Sequence, residues 1–155
     1  MDKDKLEHQP VPEGYQRVTD ALPIALVRAR EAFLMFYRPM IAELGLTEQQ
    51  WRLLRVVNEY EPNDITILSQ YCGLQLPSLT RILKTLQRNG YIQRRRDAND
   101  TRRSWISVTQ KTSEMTYHTG ARAAAIRDEI FEQFSEEKMK RLSDLVNELA
   151  EIRLR

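Results

Sequence analysis

Hydrophobic positions recur along most of this chain at the spacing of an α-helix, and only two short runs alternate as strands do. Leu22, Leu26, Ala29, Phe33, Phe36, Tyr37, Met40 and Leu44 form one helical stripe. The spacing predicts a long helix over about 19–44, with Pro23 in its first turn. Pro39 should bend that helix, because proline removes a hydrogen bond and crowds the preceding turn. A second helix starts at Leu46-Thr47-Glu48-Gln49-Gln50-Trp51. Here Thr47 is the N-cap, Gln50 its partner in a capping box, and Leu46 and Trp51 are spaced as a hydrophobic staple. It continues through Leu53, Leu54, Val56 and Val57 and ends before Pro62.

A helix-turn-helix pattern follows. The first helix is capped by Asn63 or Asp64, carries Ile65, Leu68 and Cys72 as its stripe, and is broken at Gly73. The second takes Pro77 as its first helical residue, where a missing N–H does no harm. Gly90 stands just past its end, where a left-handed residue is wanted. Leu79, Ile82, Leu83 and Leu86 lie within one arc; Pro77, Arg81, Lys84 and Arg88 occupy the opposite one. Tyr91-Ile92-Gln93-Arg94 and Trp105-Ile106-Ser107-Val108 then read as two short strands. The connection from Arg95 to Ser104 is polar and turn-rich, so it is expected to project as a mobile loop, or wing. Two further helices complete the chain. One spans about 113–134 and carries Met115, Ala124, Ala125, Ile126, Ile130 and Phe131. The other is capped by Ser135 ahead of Glu136 and Glu137, with Met139, Leu142, Leu145, Val146, Leu149 and Ile152 as its stripe.

Composition changes this picture in one respect. The net charge is only +2, but residues 81–103 hold eight Arg or Lys against two Asp, while 128–151 hold eight acids against three bases. Such segregation points to one nucleic-acid face. Arg94, Arg95, Arg96, Arg102 and Arg103 crowd the wing against Asp97 and Asp100. A solvated loop is the usual fate of such a run, but next to a cationic helix face nucleic-acid contact is the better reading. No apolar run reaches the ~20 residues of a membrane span, and the N-terminus lacks the apolar core of a signal peptide. With one cysteine there is no internal disulfide, so cytoplasm is the default. His8 and His118 have no partner at metal-ligand spacing, and neither a nucleophile constellation nor a phosphate loop occurs. No enzyme, cofactor or metal is expected. Cys72, on a core-facing stripe, reads as a structural thiol.

The helix-turn-helix, followed by Asp100-Thr101-Arg102-Arg103 before a strand ending Val108-Thr109, resembles the MarR family of winged-helix regulators over nearly the whole chain. Arg28-Ala29-Arg30-Glu31-Ala32, Tyr37-Arg38-Pro39, Leu46 to Arg52 and Pro77-Ser78-Leu79-Thr80 are similar to a recurrent series in its homoprotocatechuate-degradation (HpaR-type) branch. The chain departs from the pattern at Thr112, where the family usually has glycine. The implied fold is mainly α. A winged helix-turn-helix with a small β-hairpin wing would occupy 46–111, dimerisation helices 21–45 and 112–155, and a flexible arm 1–20. Apolar stripes at both chain ends, with little of the winged domain left to pack on, fit a homodimer. Its two recognition helices would meet a pseudo-palindromic double-stranded operator.

Helix-turn-helix docking places Ser78, Thr80 and Arg81 near base edges, with Arg81 able to pair bidentately with guanine. Gln75, Lys84, Arg88 and Arg103 are placed for the backbone and Arg102 for the minor groove, with Pro77 and Arg94 also expected on the DNA-binding surface. The family's Asp-x-Arg pattern implies that Asp100 orients Arg102. For an effector, Arg30 lies at the edge of the long helix's stripe. It either pairs with an acid or clamps an aromatic carboxylate. Arg28, Arg38, Trp51 and Arg55 are further candidates, Trp51 being equally explicable as core. The resemblance implies a repressor released by a small, hydroxyphenylacetate-like aromatic carboxylate. A regulator of drug or fatty-acid export, an RNA-binding winged helix, and a non-catalytic helical adaptor remain alternatives.

Overall fold

The computed structural model describes residues 12, 14, 21–60, 64–97 and 104–152. Six helices and one hairpin follow in the order α1 (Leu22–Glu43), α2 (Glu48–Glu59), α3 (Ile65–Cys72), α4 (Leu76–Arg88), β1 (Ile92–Arg96), β2 (Ser104–Val108), α5 (Gln110–Phe134) and α6 (Glu136–Ala150). Packing divides the chain into two units, residues 1–36 and 37–155. In the first, the described part of α1 leaves Leu22, Ile24, Val27, Phe33 and Met35 exposed. The helix runs unbroken through Pro39.

The second unit holds the core. Tyr37, Met40 and Ile41 from the end of α1, Leu53, Leu54 and Val57 from α2, Leu68 and Cys72 from α3, and Leu79, Ile82, Leu83 and Leu86 from α4 are buried. Ile92, Ile106 and Ile130 join them from the hairpin and α5. Local chemistry sets the boundaries. The Thr47 hydroxyl accepts from Gln50 N at 3.2 Å and the Gln50 side chain accepts from Thr47 N at 2.9 Å, the expected capping box. Asp64 accepts from the N–H groups of both Thr66 and Ile67 at 2.9 Å. Gly73 and Gly90 take positive φ where α3 and α4 end, a conformation without steric cost only for glycine.

Three boundaries differ from expectation. First, α4 begins at Leu76, so Pro77 is its second residue; neither of the first two N–H groups has a helical partner, and proline suits both. Second, β1 extends to Arg96 and β2 back to Ser104, giving an antiparallel ladder from Ile92↔Val108 to Arg96↔Ser104. Arg95 and Arg96 are therefore strand residues rather than loop. Ladder hydrogen bonds are indifferent to these side chains, and the Trp105 indole N–H donates to Asp97 at 2.7 Å just beyond the last pair. Third, α5 starts at Gln110, capped by Thr109, and takes in Thr112 as a helical residue. Its φ is not positive, so no glycine is required there.

Candidate nucleic-acid interface and pocket

Helix α4 is two-faced. Leu79, Ile82, Leu83 and Leu86 are buried, while Arg81, Lys84 and Arg88 are exposed and Ser78 and Thr80 half-buried. Gln75, its N-cap, makes no side-chain capping bond and is exposed, as is Pro77. The α3 C-cap at Gly73 and the 2.7 Å bond from Ser69 Oγ to Leu74 O fix the turn between the two helices. The amino-terminal half of α4 thus presents Ser78, Thr80 and Arg81 together, with Lys84 and Arg88 continuing the cationic row along the same helix. Arg94 is exposed on β1, opposite Ile106, and Arg95 is opposite Trp105. Asp100, Arg102 and Arg103 lie outside the described residues.

Within the second unit a cavity of about 280 Å³ opens between the α1 end, α2 and α5. Tyr37, Trp51, Leu54 and Arg55 line one side; Met115, Thr116, Thr119, Gly120, Ala123, Ala124 and Arg127 line the other. The Tyr37 and Trp51 rings lie 5.6 Å apart between centroids, and the Arg55 guanidinium sits 5.0 Å over the Trp51 ring. Arg127 is held by Asp128 at 2.9 Å. Arg55 has no acidic partner among the described residues. Burial raises the Tyr37 hydroxyl above the ordinary phenol range, against the pull of Arg55 and Arg127. An aromatic floor with a cation above it suits a flat ring bearing a carboxylate.

Of the sequence-derived ligand candidates, Trp51 and Arg55 come together in this cavity. Arg38 instead pairs with Glu48 at 2.6 Å and is not part of the lining. Arg28 and Arg30 belong to the unit that ends at Phe36, where Arg30 meets Glu31 at 2.7 Å. Sequence reasoning did not select Tyr37, Thr116, Thr119 or Arg127 as lining. In the sequence Tyr37 reads as part of an apolar stripe and of the Tyr37-Arg38-Pro39 series, not as a ligand contact. The available signal was on α5, where two threonines and Gly120-Ala123-Ala124 make a face too small to fill a core.

Among the described residues no cluster of three or more His, Cys, Asp or Glu could hold a metal, and no helix is long and apolar enough to cross a membrane. Burial pushes the Cys72 thiol up from its ordinary value, with Arg52 opposing.

Comparison with known proteins gives consistent results. The MarR family model matches residues 46–104. The chain is 36% identical over 129 residues to the homoprotocatechuate degradative operon repressor of Escherichia coli, covering 83% of this chain and 87% of that one. It is 34% identical over 132 residues to the HTH-type transcriptional regulator FarR of Neisseria gonorrhoeae, covering 85% and 90%. Its fold is similar to that of NadR solved in complex with 4-hydroxyphenylacetate, with a TM-score of 0.80 and 32% identity over 94% of this chain and all of that one.

Proposed function

Because the chain belongs to the MarR family, we propose that it is a homodimeric, non-enzymatic repressor of the cytoplasm that binds a pseudo-palindromic DNA operator and releases it on binding a small aromatic carboxylate. The observation that carries the regulator reading is α4, a helix anchored by four buried leucine and isoleucine side chains with three exposed cations opposite. In helix-turn-helix docking that exposed side enters the major groove, its N-terminal residues nearest the bases. Arg81 reads a base edge; Ser78 and Thr80 contact bases or adjacent phosphate. Gln75, Lys84, Arg88 and the wing's Arg103 hold the backbone, Pro77 and Arg94 belong to the same DNA-facing surface, and Arg102, oriented by Asp100, reaches the minor groove. Residues 46–111 form the DNA-binding part, and the helices of 21–45 and 112–155 dimerise.

The effector reading rests on Arg55, which lies over Trp51 and has no acidic partner among the described residues. A carboxylate placed there gains a charge-assisted hydrogen bond, while its ring stacks on Trp51 and Tyr37. The structural relative that carries 4-hydroxyphenylacetate supports that acid as the first compound to try. Ligand shifts the equilibrium only through different affinities for the DNA-bound and free arrangements.

The test is binding of the purified protein to its own upstream intergenic DNA at physiological salt, with and without 4-hydroxyphenylacetate. A discrete footprint that the acid relieves is expected, and Arg55→Ala should bind the same DNA but lose the relief. Binding that ignores the acid would discard the effector; no footprint on this or other promoters would discard the regulator.

A further inference from the structure

Residues 109–112, at the start of α5, close over the end of α4. Thr112 is the one buried polar side chain among the described residues, with 0% of its surface exposed. Its hydroxyl donates to the Tyr91 carbonyl at 2.6 Å, and the Thr109 N–H reaches the same oxygen at 3.0 Å. The Thr109 hydroxyl donates to Gly90 O at 2.7 Å. The Lys111 ammonium donates to Asn89 O at 3.2 Å and lies 4.0 Å from the centroid of the Tyr91 ring. The carbonyls of Asn89, Gly90 and Tyr91, which directly follow α4, therefore all find partners on three residues, Thr109, Lys111 and Thr112. Tyr91 N–H in turn donates to Leu86 O at 2.9 Å, tying the junction to the last turn of α4. One turn further along, the same α5 lines the pocket with Met115, Thr116, Thr119 and Gly120.

From this we propose that Thr112 is a positioning residue that couples the pocket to the recognition helix. The inference rests on the reading of α4 and the pocket given above. A continuous helix carries a shift at Met115 to Thr112, because its backbone hydrogen bonds resist local stretching. Thr112 is fully buried, so its hydroxyl has no solvent to replace the Tyr91 carbonyl, and Tyr91 either follows α5 or leaves that hydroxyl without its partner. A displacement made at the pocket thus reaches the C-terminal end of α4 and the root of the wing together. Coupling of this kind is a free energy shared by ligand and DNA, and it is read as the factor by which one weakens the other.

The experiment compares full-length wild type, Thr112→Val and Thr112→Ser, with the dissociation constant for an operator fragment measured with and without saturating 4-hydroxyphenylacetate. Valine keeps the shape and removes the hydroxyl; serine keeps the hydroxyl. The ratio of the two constants should fall by about threefold or more in T112V and be retained in T112S, with ligand affinity of the DNA-free protein unchanged in both. A merely structural role would lower the melting temperature and leave that ratio alone; an unchanged ratio in folded T112V overturns the proposal. Where T112V does not fold, Lys111→Met, on an exposed residue of the same junction, carries the same test with the same criterion. If wild type binds operator but ignores the acid, the effector reading fails. The junction is then judged on operator affinity, which a positioning Thr112 requires to fall in T112V and not in T112S. A wild type that recognises no operator overturns both.

Discussion

At the scale of single residues, the exposed cations of α4 divide by position. Arg81 projects from the amino-terminal half of the helix, beside the half-buried Ser78 and Thr80. A guanidinium there can make two parallel hydrogen bonds to one guanine edge, which no other base edge matches. Lys84, one turn on, is a point charge suited to phosphate. Arg81→Ala should therefore cost about 1–3 kcal/mol on the operator and relax its preference at one position. Lys84→Ala should weaken operator and unrelated DNA alike and lower the salt slope by about one. Competition binding against operators with single base changes, repeated across a salt series, separates the two. Equal loss on all sequences for Arg81→Ala would remove it from base reading.

Among elements, local signals fixed starts and stops, and tertiary pairing fixed the rest. Thr47 and Gln50 sit three apart before an apolar run, and their reciprocal hydrogen bonds are present. Thr47→Ala removes an acceptor from the first turn of α2 and should lower stability by about 1 kcal/mol, or about 2–4 °C in melting temperature for a chain of this size. Thermal unfolding of the two proteins checks it; an unchanged curve would mean that the buried Leu53, Leu54 and Val57 alone hold α2. The same local reading found the stripes of α3 and α4 and their terminal glycines, because each depends on neighbours three or four residues away. It fell short on β1, where Arg95 and Arg96 are extended by their pairing with Trp105 and Ser104 across the hairpin. It also missed most of the pocket. Trp51 and Arg55 share a face one turn apart and were visible. Tyr37 and Arg127 approach them only when α1, α2 and α5 pack, a convergence that no periodicity encodes.

For the molecule as a whole, the telling feature is α6, which buries none of its residues. Leu142, Leu145, Val146 and Leu149 lie on one side of it and are exposed, Leu145 at 56%. A stripe of this length left in water favours association. Polar Glu, Lys, Asp and Asn fill the other faces of α6, so the association has a defined side. On the dimer proposed above the occupant is a second copy of the chain, and a two-fold pair would place two recognition helices roughly 34 Å apart, one DNA turn. The charge segregation agrees with this division, since the acid-rich 128–151 is remote in sequence from the cationic 81–103 and would be repelled by phosphate. In a two-fold interface each substitution occurs twice. Leu145→Lys removes about 1.5–3 kcal/mol of apolar burial per copy, so the dimer should weaken by about 3–6 kcal/mol, or ~10²- to 10⁴-fold. Lys140→Ala, a change of an exposed polar residue on the same helix, should leave assembly intact. Sedimentation over a concentration series would show L145K dissociating where wild type is dimeric. Operator binding should fall with it, because a monomer spans one half-site and forfeits the gain from engaging both. If L145K stays dimeric at those concentrations, α6 is not the interface, and its apolar side requires a different partner.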